Sequence, residues 1–137
     1  MQTGTIQGKF SINSGIALTD LENRLVKMAD GGSIPEVLLP TDVADFALYV
    51  VEKGGALDED SDVIPLCDGQ QVLLRAKGTG SAGNTLVLAA VGGSDVGKVE
   101  AVTATADTYF SPGIAEEDFV DGQLVKVRVF KRTVIVT

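Results

Sequence analysis

The residue pattern closest to known chemistry is a glycine-rich run, Gly78–Gly83, which matches the Gly-x-Gly-x-x-Gly fingerprint of dinucleotide-binding proteins. That fingerprint requires a helix directly behind it, because the amides of the helix N-terminus hold the pyrophosphate. The residues that follow, Asn84–Leu88, form a short apolar segment that is typical of another strand. We therefore interpret the run as a flexible hairpin loop and predict no cofactor.

Two acidic clusters supply the carboxylates that metal sites and acid–base catalysis use. The alternate aspartates of Asp58–Asp62 have the spacing that opens a calcium loop, but Val63 and Gly69 stand where Gly and Glu are required. The second cluster, Glu116–Asp118, would need an apolar, aromatic-lined cleft to serve glycoside hydrolysis, and aromatic residues make up only 5% of the chain. We interpret both clusters as solvated acidic turns.

Histidine is absent and Cys67 is the only cysteine. Histidine-activated nucleophiles, histidine-containing metal sites and thiolate zinc sites are therefore excluded, as is an intrachain disulfide. We interpret Cys67 as a small, buried or half-buried apolar residue. No catalytic, cofactor or metal site is predicted, and we expect a protein that is not an enzyme.

The length and the net charge of the chain narrow the class of protein further. A chain of 137 residues is most simply one domain spanning 1–137, since that length buries enough surface for its own core. The net charge of −8 predicts repulsion from phosphate backbones, so we expect no nucleic-acid partner. No apolar stretch approaches the ~20 residues of a membrane span. The first residues also lack a signal-peptide pattern, so we expect synthesis in the cytoplasm.

Short apolar segments separated by turn residues dominate the sequence. The apolar residues of Ile16–Met28 fit either a helical face or a short strand over Arg24–Met28, and the turn residues that follow favour the strand. Phe46–Val51 and several segments after Leu66 also have strand length, and Leu124–Val136 is the most β-branched of all. One helical turn is expected near Thr41, and either Thr41 or Asp42 could cap it. This spacing predicts an all-β, antiparallel sandwich-like or barrel-like single domain with little helix.

Three basic residues, Arg128, Lys131 and Arg132, lie close together near the end of this acidic chain. They form either the solvent face of a strand or a contact with an acidic partner surface, which electrostatic complementarity would favour.

The N-terminal segment alternates from Thr3 onward, with Ile6, Phe10 and Ile12 on one side. A period of two predicts a half-buried strand. Residues 1–12 either complete the domain's own sheet or form an extended strand that docks on a partner's exposed edge. Thr3, Ile6, Phe10 and Ile12 are therefore candidate contact residues alongside the three basic ones.

Several phrases in a fixed order carry a resemblance: Gly83-Asn-Thr-Leu-Val-Leu-Ala89, Gly97-Lys-Val99, Gly113-Ile-Ala-Glu-Glu117 and Asp121-Gly-Gln-Leu-Val-Lys-Val127. The chain resembles the capsid cement, or decoration, proteins of tailed bacteriophages. That resemblance implies a small β-rich protein on the outer surface of the mature head, commonly a homotrimer. It also implies the major capsid protein as partner and a mechanical role, in which neighbouring capsid subunits are bridged against internal DNA pressure.

The sequence thus predicts a structural virion protein without catalysis. A tail or fibre component of a virion and a glycan- or cell-surface-binding module are the alternatives.

Overall fold

The computed structural model of the protein describes residues 8–89 and 91–137 and contains ten strands in two sheets. The first sheet is formed by β1 (Phe10–Ser14), β2 (Leu25–Met28), β3 (Glu36–Leu38), β4 (Tyr49–Lys53) and β5 (Asp60–Pro65). The second is formed by β6 (Gln71–Arg75), β7 (Thr85–Leu88), β8 (Val99–Ala101), β9 (Asp107–Ala115) and β10 (Leu124–Val136). One short 3₁₀ turn, Gly93–Asp95, stands between β7 and β8. The predicted all-β fold is confirmed. No helix in the described part of the chain is long and apolar enough to cross a membrane.

The first sheet closes into a barrel with the strand order β1-β3-β2-β4-β5. Its pairings are antiparallel except that of β1 with β3, which is parallel. Each strand directs branched side chains into a small core, which includes Leu18, Val26, Val37, Val51 and Val63, all 0% exposed. Closure leaves this sheet without a free edge, because every strand has a neighbour on both sides.

A buried hydroxyl pair ties the barrel together at one end. The Oγ atoms of Ser14 and Ser61 lie 2.5 Å apart, and the Gly55 N–H donates to Ser61 Oγ at 2.8 Å. Gly54 is a close-packing position, since a Cβ there would collide with the Leu18 carbonyl. These contacts explain why the Gly54-Gly55 pair ends β4.

The second sheet is open, with the order β6-β10-β9-β7-β8. β10 is its longest strand and pairs with β6 at its start and with β9 along most of its length. Val125, Val127 and Val129 are buried, while the residues between them are exposed. This is the period of two that the sequence predicts for a half-buried strand.

The barrel and the open sheet share one core. Leu25 and Val50 from the barrel pack in the same cluster as Leu74, Phe110 and Val127 from the sheet. Backbone hydrogen bonds also cross the junction; the Leu25 N–H, for example, donates to the Gly97 carbonyl at 2.9 Å. Such a shared core is what a single domain over 1–137 would require, and that assignment stays a prediction.

The turn expected near Thr41 forms, but it does not become a helix. The Asp45 carboxylate accepts from the Thr41 N–H at 2.8 Å, from the Asp42 N–H at 3.0 Å and from Lys27 Nζ at 2.9 Å. Burial alone would raise the pKa of Asp45, but the hydrogen bond from Lys27 and those from the backbone outweigh it and lower that pKa. Because this turn continues to Ala47, β4 begins at Tyr49 rather than at the predicted Phe46.

Candidate functional site

β10 carries the three predicted basic residues, and the structure separates their roles. Arg128 is held within the protein: Nη2 lies 3.1 Å from Glu116 Oε1, and Nη1 donates to the Gly69 carbonyl at 2.9 Å. Glu116 also accepts from Gln71 Nε2 at 2.9 Å, and this bond together with Arg128 lowers the pKa of the Glu116 carboxyl. Arg128 therefore ties β10 to the segments before β6 and after β9, and its charge is paired with that of Glu116.

Lys131 lies within a β-bulge of β10 between Val129 and Arg132, and Arg132 follows that bulge. The Lys131 N–H donates to Asp68 Oδ1 at 3.0 Å, which fixes the backbone there. The Arg132 guanidinium lies 5.5 Å from the centre of the Phe130 ring, within cation–π distance, and Nη2 donates to Thr85 Oγ1 at 3.1 Å. Neither Lys131 nor Arg132 has a carboxylate partner for its side chain among the described residues. These two cations are therefore available to an acidic surface.

Charge is distributed unevenly along the chain. All 19 acidic residues precede Leu124, whereas four of the 11 basic residues lie in β10. That strand therefore carries +4 in a chain of net charge −8. The charge pattern distinguishes β10 from the rest of the surface.

Exposed apolar side chains accompany these charges. Phe130 is 54% exposed and Ile135, further along the same strand, is 69% exposed. Sequence reasoning singled out the basic residues but missed these two. The signal that could have found them is the run of β-branched and aromatic residues continuing beyond the buried alternation of Val125–Val129.

The N-terminal candidates divide at the start of β1. Thr3 and Ile6 lie outside the described residues. Ile12 is 9% exposed and belongs to the barrel core, so its side chain has no free surface to offer a partner. Phe10 is 38% exposed and packs edge-on against Tyr49, with ring centres 5.8 Å apart.

β1 belongs to the barrel from Phe10 onward, because Phe10–Asn13 pair with β5, and Asn13 and Ser14 pair with β3 on the other side. Residues 10–12 thus complete the domain's own sheet, which was one of the two alternatives. The proposed docking role of residues 1–7 lies outside the described residues, and a contact through the exposed Phe10 stays a prediction.

The glycine-rich run forms a loop between β6 and β7, as predicted, but this loop is not a hairpin, because β6 and β7 are not neighbours in the sheet. The Gly78 N–H donates to Asp121 Oδ1 at 2.8 Å, and the Ala82 N–H donates to Asp118 Oδ1 at 2.9 Å. β7 follows it at Thr85, so no helix N-terminus faces the loop. The amides that a pyrophosphate would need are used to hold the loop against the turn before β10.

The acidic clusters are distributed among structural contacts. Asp62 accepts from the Ser11 hydroxyl at 2.7 Å, and Glu117 accepts from the Lys126 N–H at 3.2 Å. Cys67 is half-buried. Among residues 8–89 and 91–137, no group of three or more acidic or cysteine side chains is arranged to hold a metal ion.

A cleft of about 310 Å³ lies where the barrel meets β6. Val50, Ile64, Val72 and Leu73 supply its apolar walls, and Asn23, Glu52, Gln70 and Gln71 supply its polar ones. Asn23 also closes part of it, since its side-chain amide donates to the Leu73 carbonyl at 3.1 Å. The cleft contains none of the predicted contact residues.

Comparison with known proteins finds a similar fold among solved structures but no similar sequence. No protein-family model matches the sequence, and no curated protein sequence matches it significantly. The structure is similar to the crystal structure of the N base of the head fibre protein gp8.5 of bacteriophage phi29, with a TM-score of 0.66 and 19% sequence identity. The similarity covers 89% of this chain and 92% of that chain. At this identity the likeness establishes a shared fold, and it does so over nearly the whole of both chains.

Proposed function

We propose that this protein is a non-catalytic structural component of a bacteriophage virion that binds the outer surface of the head. The observation that carries the proposal is the fold shared with the phi29 head-fibre base over 89% of this chain. The ordered phrases that resemble capsid cement proteins point independently to the same part of a virion.

On the head, we infer, the protein acts as a cement that bridges neighbouring copies of the major capsid protein. Because such a protein binds only the assembled lattice, its binding stabilises the shell by mass action. A homotrimer would present each weak contact three times, so avidity holds it in place without a deep binding pocket. The basic, partly apolar strand β10 is the surface that we assign to the capsid contact.

The base of a head fibre is the second candidate, and the phi29 likeness favours it specifically. Both candidates require attachment to the head. Their effects on the shell differ. A cement protein raises the resistance of the shell to internal DNA pressure, whereas a fibre base serves mainly to hold the fibre.

Purified protein and expanded heads of the phage that encodes it provide the test. We expect co-sedimentation with heads, no binding to free DNA, and density on the outer head surface by electron microscopy. A cement protein should also raise the temperature at which filled heads release DNA, whereas a fibre base should leave it unchanged. Density on the tail, or binding to a glycan array without binding to heads, would overturn the head assignment. Turnover of a small substrate by the purified protein would overturn the non-catalytic assignment.

A further inference from the structure

The half of β10 beyond the bulge is paired on one side only. β6 accompanies β10 as far as Arg128, whereas β9 continues to Val136. At Lys131 the side facing away from β9 is occupied by the Asp68 carboxylate, which accepts the Lys131 N–H. From there onward no described strand covers that side, so β10 presents a free sheet edge.

One backbone contact shows which groups this edge exposes. The Phe110 N–H donates to the Val43 carbonyl at 2.7 Å and therefore points away from β10. Phe110 on β9 lies opposite Thr133 on β10, so these two residues form a non-hydrogen-bonded pair. Hydrogen-bonding direction alternates along an antiparallel strand. Thr133 and Ile135 therefore direct their N–H and C=O groups to the open side, where none of the described residues bonds to them.

The side chains around this edge select for a partner of opposite charge. Lys131 and Arg132 stand where the free edge begins, and basic residues at a sheet edge discourage pairing with another basic strand. Phe130 and Ile135 add exposed apolar surface beside them. An extended strand that carries carboxylates would satisfy the free backbone groups and the two cations together.

We propose that the edge of β10 from Thr133 to Ile135, with the side chains of Lys131 and Arg132 beside it, is a docking edge that accepts an extended acidic strand of the capsid protein. This inference rests on the proposed function, since it names the surface and the partner segment for attachment to the head. Backbone hydrogen bonds supply the binding and the Lys131–Arg132 pair supplies the selectivity. Arg128, although near in sequence, is not part of the proposed contact, because it lies where β6 still covers β10 and its side chain is paired with Glu116.

Charge reversal tests the selectivity. The double variant Lys131→Glu/Arg132→Glu should bind expanded heads at least about tenfold more weakly than wild type, because like charges would then face each other. The matched control, Lys53→Glu/Lys77→Glu, changes the net charge by the same amount as the test variant. Neither lysine forms an ion pair within the described part of the chain. It should bind as wild type does.

Proline substitution tests the backbone pairing. Thr133→Pro removes a free N–H and leaves the bonds to β9 intact, so it should keep the fold and weaken head binding at least about tenfold. Val134→Pro removes a bond to β9 and should destabilise the protein instead. If Thr133→Pro does not fold, the charge-reversal pair still decides the matter.

The outcomes separate this inference from the proposed function. Wild type that binds heads, with charge-reversed and Thr133→Pro variants that bind equally well, would overturn the docking edge and leave the head assignment standing. A dimer of the free protein that Thr133→Pro abolishes would show that the edge pairs with a second copy, which would also overturn it. If wild type does not bind heads at all, both proposals fail.

Discussion

Replacing Phe110 with alanine should be among the most damaging single changes to this fold. Phe110 lies on β9 and is 0% exposed, in the core that the barrel and the open sheet share. Its ring centre is 5.4 Å from that of Phe46, which covers it from the turn before β4 but is itself 58% exposed. The two rings thus form a matched pair, one fully buried and one largely exposed.

The expected costs differ because the two rings bury different areas. Phe110→Ala should lower the free energy of unfolding by about 3–5 kcal/mol, the sum of lost transfer energy and the cavity left behind. Phe46 buries less than half of its surface, so Phe46→Ala should cost about 1–2 kcal/mol, part of it from the ring pair. Since a domain of this kind is stable by roughly 5–15 kcal/mol in total, the first change removes a large share.

Urea unfolding of wild type, both single variants and the double variant would measure these terms. The double-mutant cycle should give a coupling of about 0.5–1.5 kcal/mol between the rings. The reasoning would be refuted if Phe110→Ala cost less than about 1.5 kcal/mol, or no more than Phe46→Ala, because the shared core would then not depend on that ring.

Three further changes probe the barrel and its flanking turn. Gly54→Ala should cost at least about 1–3 kcal/mol in thermal unfolding, because its Cβ has no room, whereas Gly92→Ala, in open space, should be nearly neutral. Ser61→Ala should cost about 1–3 kcal/mol in urea unfolding and more than Ser14→Ala, since only Ser61 also accepts a backbone N–H; equal costs would count against that network. The pKa of Asp45 is lower in the folded protein than the value of about 3.9 that it has in the unfolded chain. Its carboxylate therefore stabilises the fold fully above about pH 3.9, and this stabilisation is lost as the pH falls through the lower folded pKa. The stability difference between wild type and Asp45→Asn should therefore be clear at pH 7 and shrink toward zero in strong acid; a constant difference would contradict the assignment.

Most strands were predictable because their signal is local. The alternation of Leu124–Val129 reflects one face buried and one exposed, which the order of apolar residues records directly. Leu25–Met28 was predictable from its apolar start and its strand length, although Leu25 and Val26 are both buried. The glycine-rich loop was predictable for the same reason, since a strand rather than a helix follows it. The start of β4 was misplaced because the turn that the Asp45 carboxylate closes continues to Ala47, whose N–H donates to the Asp45 carbonyl; such contacts pair residues by geometry rather than by pattern.

The candidate site shows where local pattern stops being informative. The sequence by itself determined that β10 is a strand, that it is basic in an acidic chain, and that no histidine chemistry is available. Only the tertiary structure decided that Arg128 is neutralised by Glu116 while Lys131 and Arg132 are not, because that depends on the register of β9 against β10. It also decided that β6 ends before Lys131 and leaves an open edge there. Strand pairing joins residues far apart in the chain, and the hydrophobic alternation that specifies a strand carries no record of where its neighbour stops.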